Sequence, residues 1–295
     1  MQLTPELIDA WVALTCAPGG DPATHARGVR QRAENSDYRA LRFITPDGGG
    51  ATWLVPVGTG RWLVGSPRTR DDIPVGEAVA ALVGEAVAEV RRRQAVHLES
   101  RIPVDRESEA LVTDLADAGL IRASERVEYK TPMAELPDEG PSPLTWIPST
   151  GDDLDRFAAL LLRVSAGPDG LESDEDPLEW LQDVLSDEAR ICDPARVLHR
   201  GVLDDKDVAF VCGQTEPQGA HAGWSTLPFL GVRPEARGRG LGRVAHRHGI
   251  AMLRAQGATL YHGGTDAENA PMRACFEANG CREWQRFGVW QHPAL

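Results

Sequence analysis

The sequence predicts an α/β protein made of two domains. Three observations lead there. Strand-like apolar runs alternate with amphipathic helical stretches along the whole chain. A proline- and acid-rich segment, ELPDEGPSP at 135–143, interrupts that alternation near the middle. The two halves also end in the same order of elements, helix, glycine and strand. With 295 residues the chain is longer than one average domain, and a hydrophobic content of 42% is ample for a packed core.

The first half opens with helical patterns over residues 5–16 and around 23–32, followed by the β-like pieces YRALRFIT, ATWLVPV and RWLVGS. GEAVAALVGEAVAEVRRR is a strong amphipathic helix with arginines in its last turn, where they suit the helix dipole. AVHLES is a strand, RESEALVTDLADAGL a helix closed by Gly119, and RVEYKTPM a strand. After the linker come strand LTWIPS, helix DDLDRFAALLLRVSA with aspartates at its start, and helix PLEWLQDVLSDEA. RVLHRGVL and DVAFVCGQ read as a hairpin across DDKD. GWSTLPFLGV leads into the loop RPEARGRGLG, and helix GRVAHRHGIAMLRAQ, strand ATLYHG, helix APMRACFEANG and strand FGVWQ complete the chain. Laying the two endings over each other puts Gly119 opposite Gly280 and Tyr129 opposite Trp290. The expected domains are therefore 1–138 and 144–295, joined by a linker at 139–143.

Composition excludes several classes. The net charge of −13 argues against nucleic acid, whose phosphates require a basic face, and leans toward a neutral or cationic partner. Five scattered cysteines without CxxC spacing argue against a disulfide framework or a metal site. No apolar run approaches the roughly 18 residues of a membrane span, and the first residues lack signal-peptide features, so a cytoplasmic protein is expected.

The glycine loop carries the chemistry. A strand that ends in a glycine-rich turn at a helix N-terminus presents converging backbone N–H groups and the positive end of the helix dipole to an anion. Gly238, Gly240 and Gly242 admit a phosphate without Cβ clashes, and Arg237, Arg239 and Arg243 add charge. A P-loop needs a Lys that is missing here. A dinucleotide loop needs GxGxxG and a later acid, where this chain has GxGxG and HGGT. The spacing that fits is RxxGxG (Arg237, Gly240, Gly242), preceded by LxVxP (Leu230, Val232, Pro234) and followed by Asn269, Phe276 and Gly280.

On these motifs, over about residues 224–290, the chain resembles the GNAT superfamily of acyl-CoA-dependent N-acyltransferases. The resemblance implies a mixed, mostly antiparallel central sheet flanked by helices in each half. It also implies acetyl-CoA as co-substrate and no metal. Backbone from Arg237 to Arg243, including Leu241, would hold the pyrophosphate, and the edge at Leu230, Gly231 and Val232 would pair with the pantetheine amides. Asn269 and Phe276 complete the implied cofactor set, with acetyl passing to the primary amine of a small-molecule acceptor; a non-catalytic acyl-CoA-binding or sensing protein and a protein or peptide N-acetyltransferase are the alternatives. Members of the family splay their fourth and fifth strands to admit the thioester, and the resemblance implies the same opening here. The first half has aspartates where this loop should stand, so one CoA per chain is expected, with the first half a degenerate repeat and a chain starting near Gly140, if soluble, still able to bind CoA while losing acceptor turnover.

Two usual catalytic groups are missing. Ser225 and Thr226 stand where many members have Glu, and Phe276 stands in place of Tyr. Replacements cluster in YHGGTDAEN as His262, Tyr261 and Asp266, with Glu268 beside them. Strand alternation puts Tyr261 and His262 on opposite faces, so at most one faces the cleft. Asp266 fits a helix cap as well as a site. His248 lies on the helical stripe Leu241, Ala245, His248, Met252 and reads as packing. The five acids of GLESDEDPLEW (170–180) read either as a solvated loop or as a lip for a cationic acceptor.

Overall fold

A computed structural model describes residues 8–15, 22–23, 26–27, 41–45, 50–58, 61–65, 68–69, 75–94, 97–165, 170–171, 176–186, 190–218 and 222–293. The chain forms two compact units, one of residues 1–125 with 286–295, the other of residues 126–285.

The first unit holds helix α1 (Ile8–Thr15), strands β1 (Leu41–Ile44), β2 (Gly50–Gly58), β3 (Arg61–Val64) and β4 (Arg68–Thr69), helix α2 (Val75–Arg92), strand β5 (His97–Pro103) and helix α3 (Glu109–Asp117). β1, β2 and β3 pair antiparallel in that order, β3 lies parallel to β5, and β4 flanks β2. Leu82, Val83, Ala86, Val87 and Val90 recur at helical spacing on α2 and pack on Leu54, Val64, Leu98 and Ile102 of the strands. Ser108 caps α3 by accepting from the Leu111 N–H. Most of the expected helix at 23–32, and both aspartates of the loop before α2, lie outside the described residues.

The second unit contains β7 (Thr145–Pro148), α4 (Leu154–Val164), α5 (Pro177–Leu185), α6 (Pro194–Val197), β8 (Leu198–Leu203), β9 (Lys206–Thr215), β10 (Trp224–Val232), α7 (Leu241–Ala255), β11 (Leu260–Asp266) and α8 (Ala270–Ala278). Asp204 and Asp205 take φ of 50° and 60°, the left-handed pair of a tight hairpin turn joining β8 to β9. β9 runs VAFVC between two helical layers and is buried on both faces. Phe210 and Cys212 pack under Phe157 and Leu161 of α4 and Leu181 of α5. Ala209 and Val211 meet Leu241, Ala245 and Met252 of α7 on the other side.

The units do not divide at the 139–143 linker. Strand β6 (Ile121–Pro132) ends inside the second unit, where Arg126–Pro132 pairs antiparallel with β11 over seven residues. The last strand, β12 (Glu283–Gln291), runs the other way, starting in the second unit and ending paired with β5 in the first. The α/β class with a mixed, helix-flanked sheet holds, but two separate sheets split at the linker are not what these strands form. The physical reason is a long-range pairing: β11 lies between β10 and β6, so one of its edges is filled by the chain segment before the linker. A fragment starting near Gly140 therefore lacks that partner. It is expected to be insoluble or molten, by near-UV circular dichroism, whereas a fragment starting near residue 120 keeps β6. Soluble, CoA-binding protein from residue 140 would contradict this.

Candidate active site

Strand β10 pairs with parallel β11 at two positions, Trp224 with Leu260 and Ser225 with Tyr261. Ser225 Oγ donates to the Leu260 carbonyl at 2.9 Å and fixes the last of these pairs. The position where a carboxylate base was sought is thus held by a buried structural hydroxyl. A bulge then follows between Thr226 and Phe229, with Pro228, which has no N–H to donate, inside it. From Phe229 to Val232, β10 pairs with β9, and no pairing with β11 resumes among the described residues.

The edge so released borders a groove of about 760 Å³. Its walls include Leu230, Gly231 and Val232 on the strand, Arg237, Gly238 and Gly240 in the loop, Leu241, Gly242 and Arg243 at the start of α7, and Asn269 before α8. Arg239 and Phe276, also expected there, do not line it. Arg239 is exposed, and Phe276 is buried with its ring stacked 4.2 Å from Tyr129. Gly238 and Gly240 have φ of +76° and +75°, and a Cβ on either would project into open space. Gly240 is the N-cap of α7 and offers no side-chain acceptor to the first N–H groups of the helix. Arg237 acts as a brace: its guanidinium donates to the Val232 carbonyl at 2.9 Å and to the Val164 carbonyl at 3.1 Å. Gly231 permits the close approach, because a Cβ there would lie 2.8 Å from Val164 Cβ.

His262 is the first residue of β11 past the shared register, so it stands where the two strands separate. Its Nε2 is 3.0 Å from Glu128 Oε2 on β6. A carboxylate there selects the tautomer in which Nε2–H donates, leaving Nδ1 with its lone pair. Glu128 is buried, while the His262 side chain retains 32% exposure. Lys130 stands directly across from His262 in the register. The indoles of Trp224 and Trp284 sit at 6.1 and 6.0 Å from the imidazole, edge to face. The glycines of HGGT are explained by neighbours: a Cβ on Gly263 would lie 2.7 Å from the Phe276 ring, and one on Gly264 would crowd Arg126 and Glu128.

Tyr261 lies on the opposite face, fully buried. Its hydroxyl is 2.9 Å from His246 Nε2, and His246 Nδ1 accepts from Asn279 Nδ2 at 2.9 Å. Burial raises the tyrosine well above its ordinary pKa and lowers His246 to about 3, so both stay neutral. Asp266 accepts from the Glu268 N–H at 2.8 Å and shapes the turn into α8, where Asn269 is the N-cap. His262 is thus not grouped with Tyr261. His248 does more than pack: it stacks on Trp146 and links Glu139 to His199 through its two nitrogens at 2.5 and 2.8 Å. Sequence reading missed Glu128, Lys130, Trp224 and Trp284. Alternation in RVEYKT sets Glu128 and Lys130 on one face and was the available signal, but their pairing with His262 depends on register. Among the described residues no cluster of His, Cys, Asp and Glu could hold a metal, and no helix is long and apolar enough to cross a membrane.

A sheet with helices on both faces, a splayed parallel strand pair and a glycine loop opening a helix are the features that the GNAT resemblance led one to expect. Residues 162–281, within the C-terminal half of the chain, match the acetyltransferase (GNAT) family, a family of acyltransferases. The whole chain is similar in fold to a GCN5-related N-acetyltransferase from Sphaerobacter thermophilus, at TM-score 0.71 and 17% identity, covering 100% of this chain and 96% of that one. It is also similar to a tandem GNAT protein from the clavulanic acid biosynthesis pathway (TM-score 0.57, 15% identity, 99% and 97% covered). A third is a GCN5-related N-acetyltransferase from Kribbella flavida (TM-score 0.53, 14% identity, 92% and 95% covered). No curated protein matches the chain in sequence.

Proposed function

We propose that the second unit binds acetyl-CoA in the groove and transfers acetyl to a primary amine of a small molecule by direct attack on the thioester. The observation that carries this reading is the position of His262 where β10 leaves β11, with no partner on Nδ1 among the described residues and the groove running along the released edge of β10 to the Gly238–Arg243 loop. The pyrophosphate rests on the first N–H groups of α7, with Arg239 and Arg243 supplying charge. The pantetheine amides pair with the edge at Leu230–Val232 as an added strand. The acceptor arrives as an ammonium and gives a proton to His262 Nδ1, while Nε2–H donates to Glu128 and the carboxylate stabilises the imidazolium. The freed lone pair attacks the carbonyl carbon, the C–S bond breaks, and the departing thiolate takes up the second proton that the acylated nitrogen sheds, which leaves free thiol and the amide. Glu128 is a positioning residue, and the first unit supports the fold without chemistry of its own.

Calorimetry with CoA and thiol release from acetyl-CoA with a panel of amines test this. One CoA per chain is expected, together with acceptor-dependent thiol release. Binding without turnover on any amine would favour a sensing role. Gly240→Val is expected to weaken CoA by at least about tenfold, near 1.4 kcal/mol. A β-branched residue resists the left-handed φ and fills the space the anion needs. Unchanged affinity in that variant would remove the pyrophosphate from this loop.

A further inference from the structure

Four side chains form a row across four strands of the second unit: Trp284, Lys130, His262 and Trp224. The Lys130 ammonium lies 4.7 Å from the Trp224 ring centroid and 5.1 Å from that of Trp284. Among the described residues no carboxylate forms an ion pair with it, although the chain carries a net charge of −13 and Glu128, two residues away on the same face, is bound to His262. Trp284 is 52% exposed, so the row opens to solvent. Cation–π contact holds the ammonium in place without neutralising it. Lys130 already occupies the space between the indoles that a cationic acceptor would seek, and its charge repels one. It attracts an anion instead. Lys130 and His262 face each other across the strand pair, so an anion at one and an amine at the other fit within one small molecule.

We propose that the acceptor is an amino acid with a planar side chain: its amine meets His262 Nδ1, its carboxylate meets Lys130, and its ring stacks against Trp224 or Trp284. The proposal rests on acetyl transfer at His262 and adds the substrate class. It replaces the expectation of a cationic acceptor, which rested on the net charge of −13 and on the acidic 170–180 segment, where residues 172–175 lie outside the described set.

The test uses the full chain with acetyl-CoA and a matched pair of acceptors, phenylalanine and 2-phenylethylamine, which differ in the carboxylate alone. The wild-type protein is expected to favour phenylalanine in kcat/KM by about tenfold or more, the scale of one charge-assisted hydrogen bond. In Lys130→Gln that ratio should fall toward one, and in Lys130→Arg part of it should survive. A wild-type preference for the decarboxylated amine, or an unchanged ratio in Lys130→Gln, would overturn the proposal while leaving acetyl transfer intact. If neither is turned over, binding of N-acetylphenylalanine and N-acetyl-2-phenylethylamine to the CoA-loaded protein decides it. Equal affinity overturns it, and tighter binding of the acid that Lys130→Gln abolishes supports it. Absence of thiol release with every amine would count against the transfer reading, separately from either result.

Discussion

His262→Ala is expected to lower turnover about a hundredfold at neutral pH, the low end for losing a general base. CoA affinity should stay close to that of the unaltered protein, because the imidazole does not line the groove. The reasoning begins with the acceptor. An amine is mostly protonated near neutral pH, and an ammonium has no lone pair with which to attack a thioester. The ordinary carboxylate position on β10 holds Ser225, whose hydroxyl is committed to the Leu260 carbonyl. Tyr261 is buried on the other face, and Asp266 is engaged in a turn. His262 alone among the expected catalytic residues combines partial exposure, a free nitrogen and a carboxylate behind it. Raising the pH should partly rescue the alanine variant, since more acceptor then arrives neutral. Glu128→Gln keeps an acceptor for Nε2–H but loses the charge, and should cost less than Glu128→Leu, which loses both. Wild-type turnover in His262→Ala would shift the role to a water chain.

Acid is expected to destabilise the protein well before its carboxylates titrate. His246 is neutral in the fold with a pKa of about 3, against an ordinary value of 6.5, because burial disfavours the imidazolium. Its Nδ1 already accepts from Asn279, so a proton there would face a donor. The unfolded chain therefore binds more protons than the folded one between those two values, and stability rises with pH across that window. The contribution is fully present above about pH 6.5 and is lost as the pH falls toward 3, amounting to about 2 kcal/mol by pH 5. His199 and His248 are also lowered, chiefly by burial, and act in the same direction. The urea midpoint should therefore drop between pH 7.5 and pH 5. His246→Gln should lower stability at pH 7.5 and flatten that dependence. An unchanged midpoint in the unaltered protein would mean that His246 is reached by water or charged in the fold.

The loop RPEARGRGLG shows how much of the site the sequence carries. Alternating glycines, arginines and a helix start are local features, and the left-handed Gly238 and Gly240 at the N-terminus of α7 follow from them, because only residues without Cβ take that conformation without strain. The order of helices and strands in the second unit, the hairpin at Asp204 and Asp205, and the opposite facing of Tyr261 and His262 were legible for the same reason: each depends on neighbours a few residues apart. What the tertiary structure decided involves residues far apart in the chain. It placed β6, with Glu128 and Lys130, beside β11, although the sequence puts a linker after that strand and a whole half before its partner. It turned Arg237 inward as a brace on Val164 rather than outward as a phosphate ligand, and it sent Phe276 into the core. Pairing register and the burial of a long side chain are set by the packing of distant segments. A one-residue shift of β6 would turn Glu128 and Lys130 to the far face of the sheet, and no local pattern in RVEYKTPM forbids that shift.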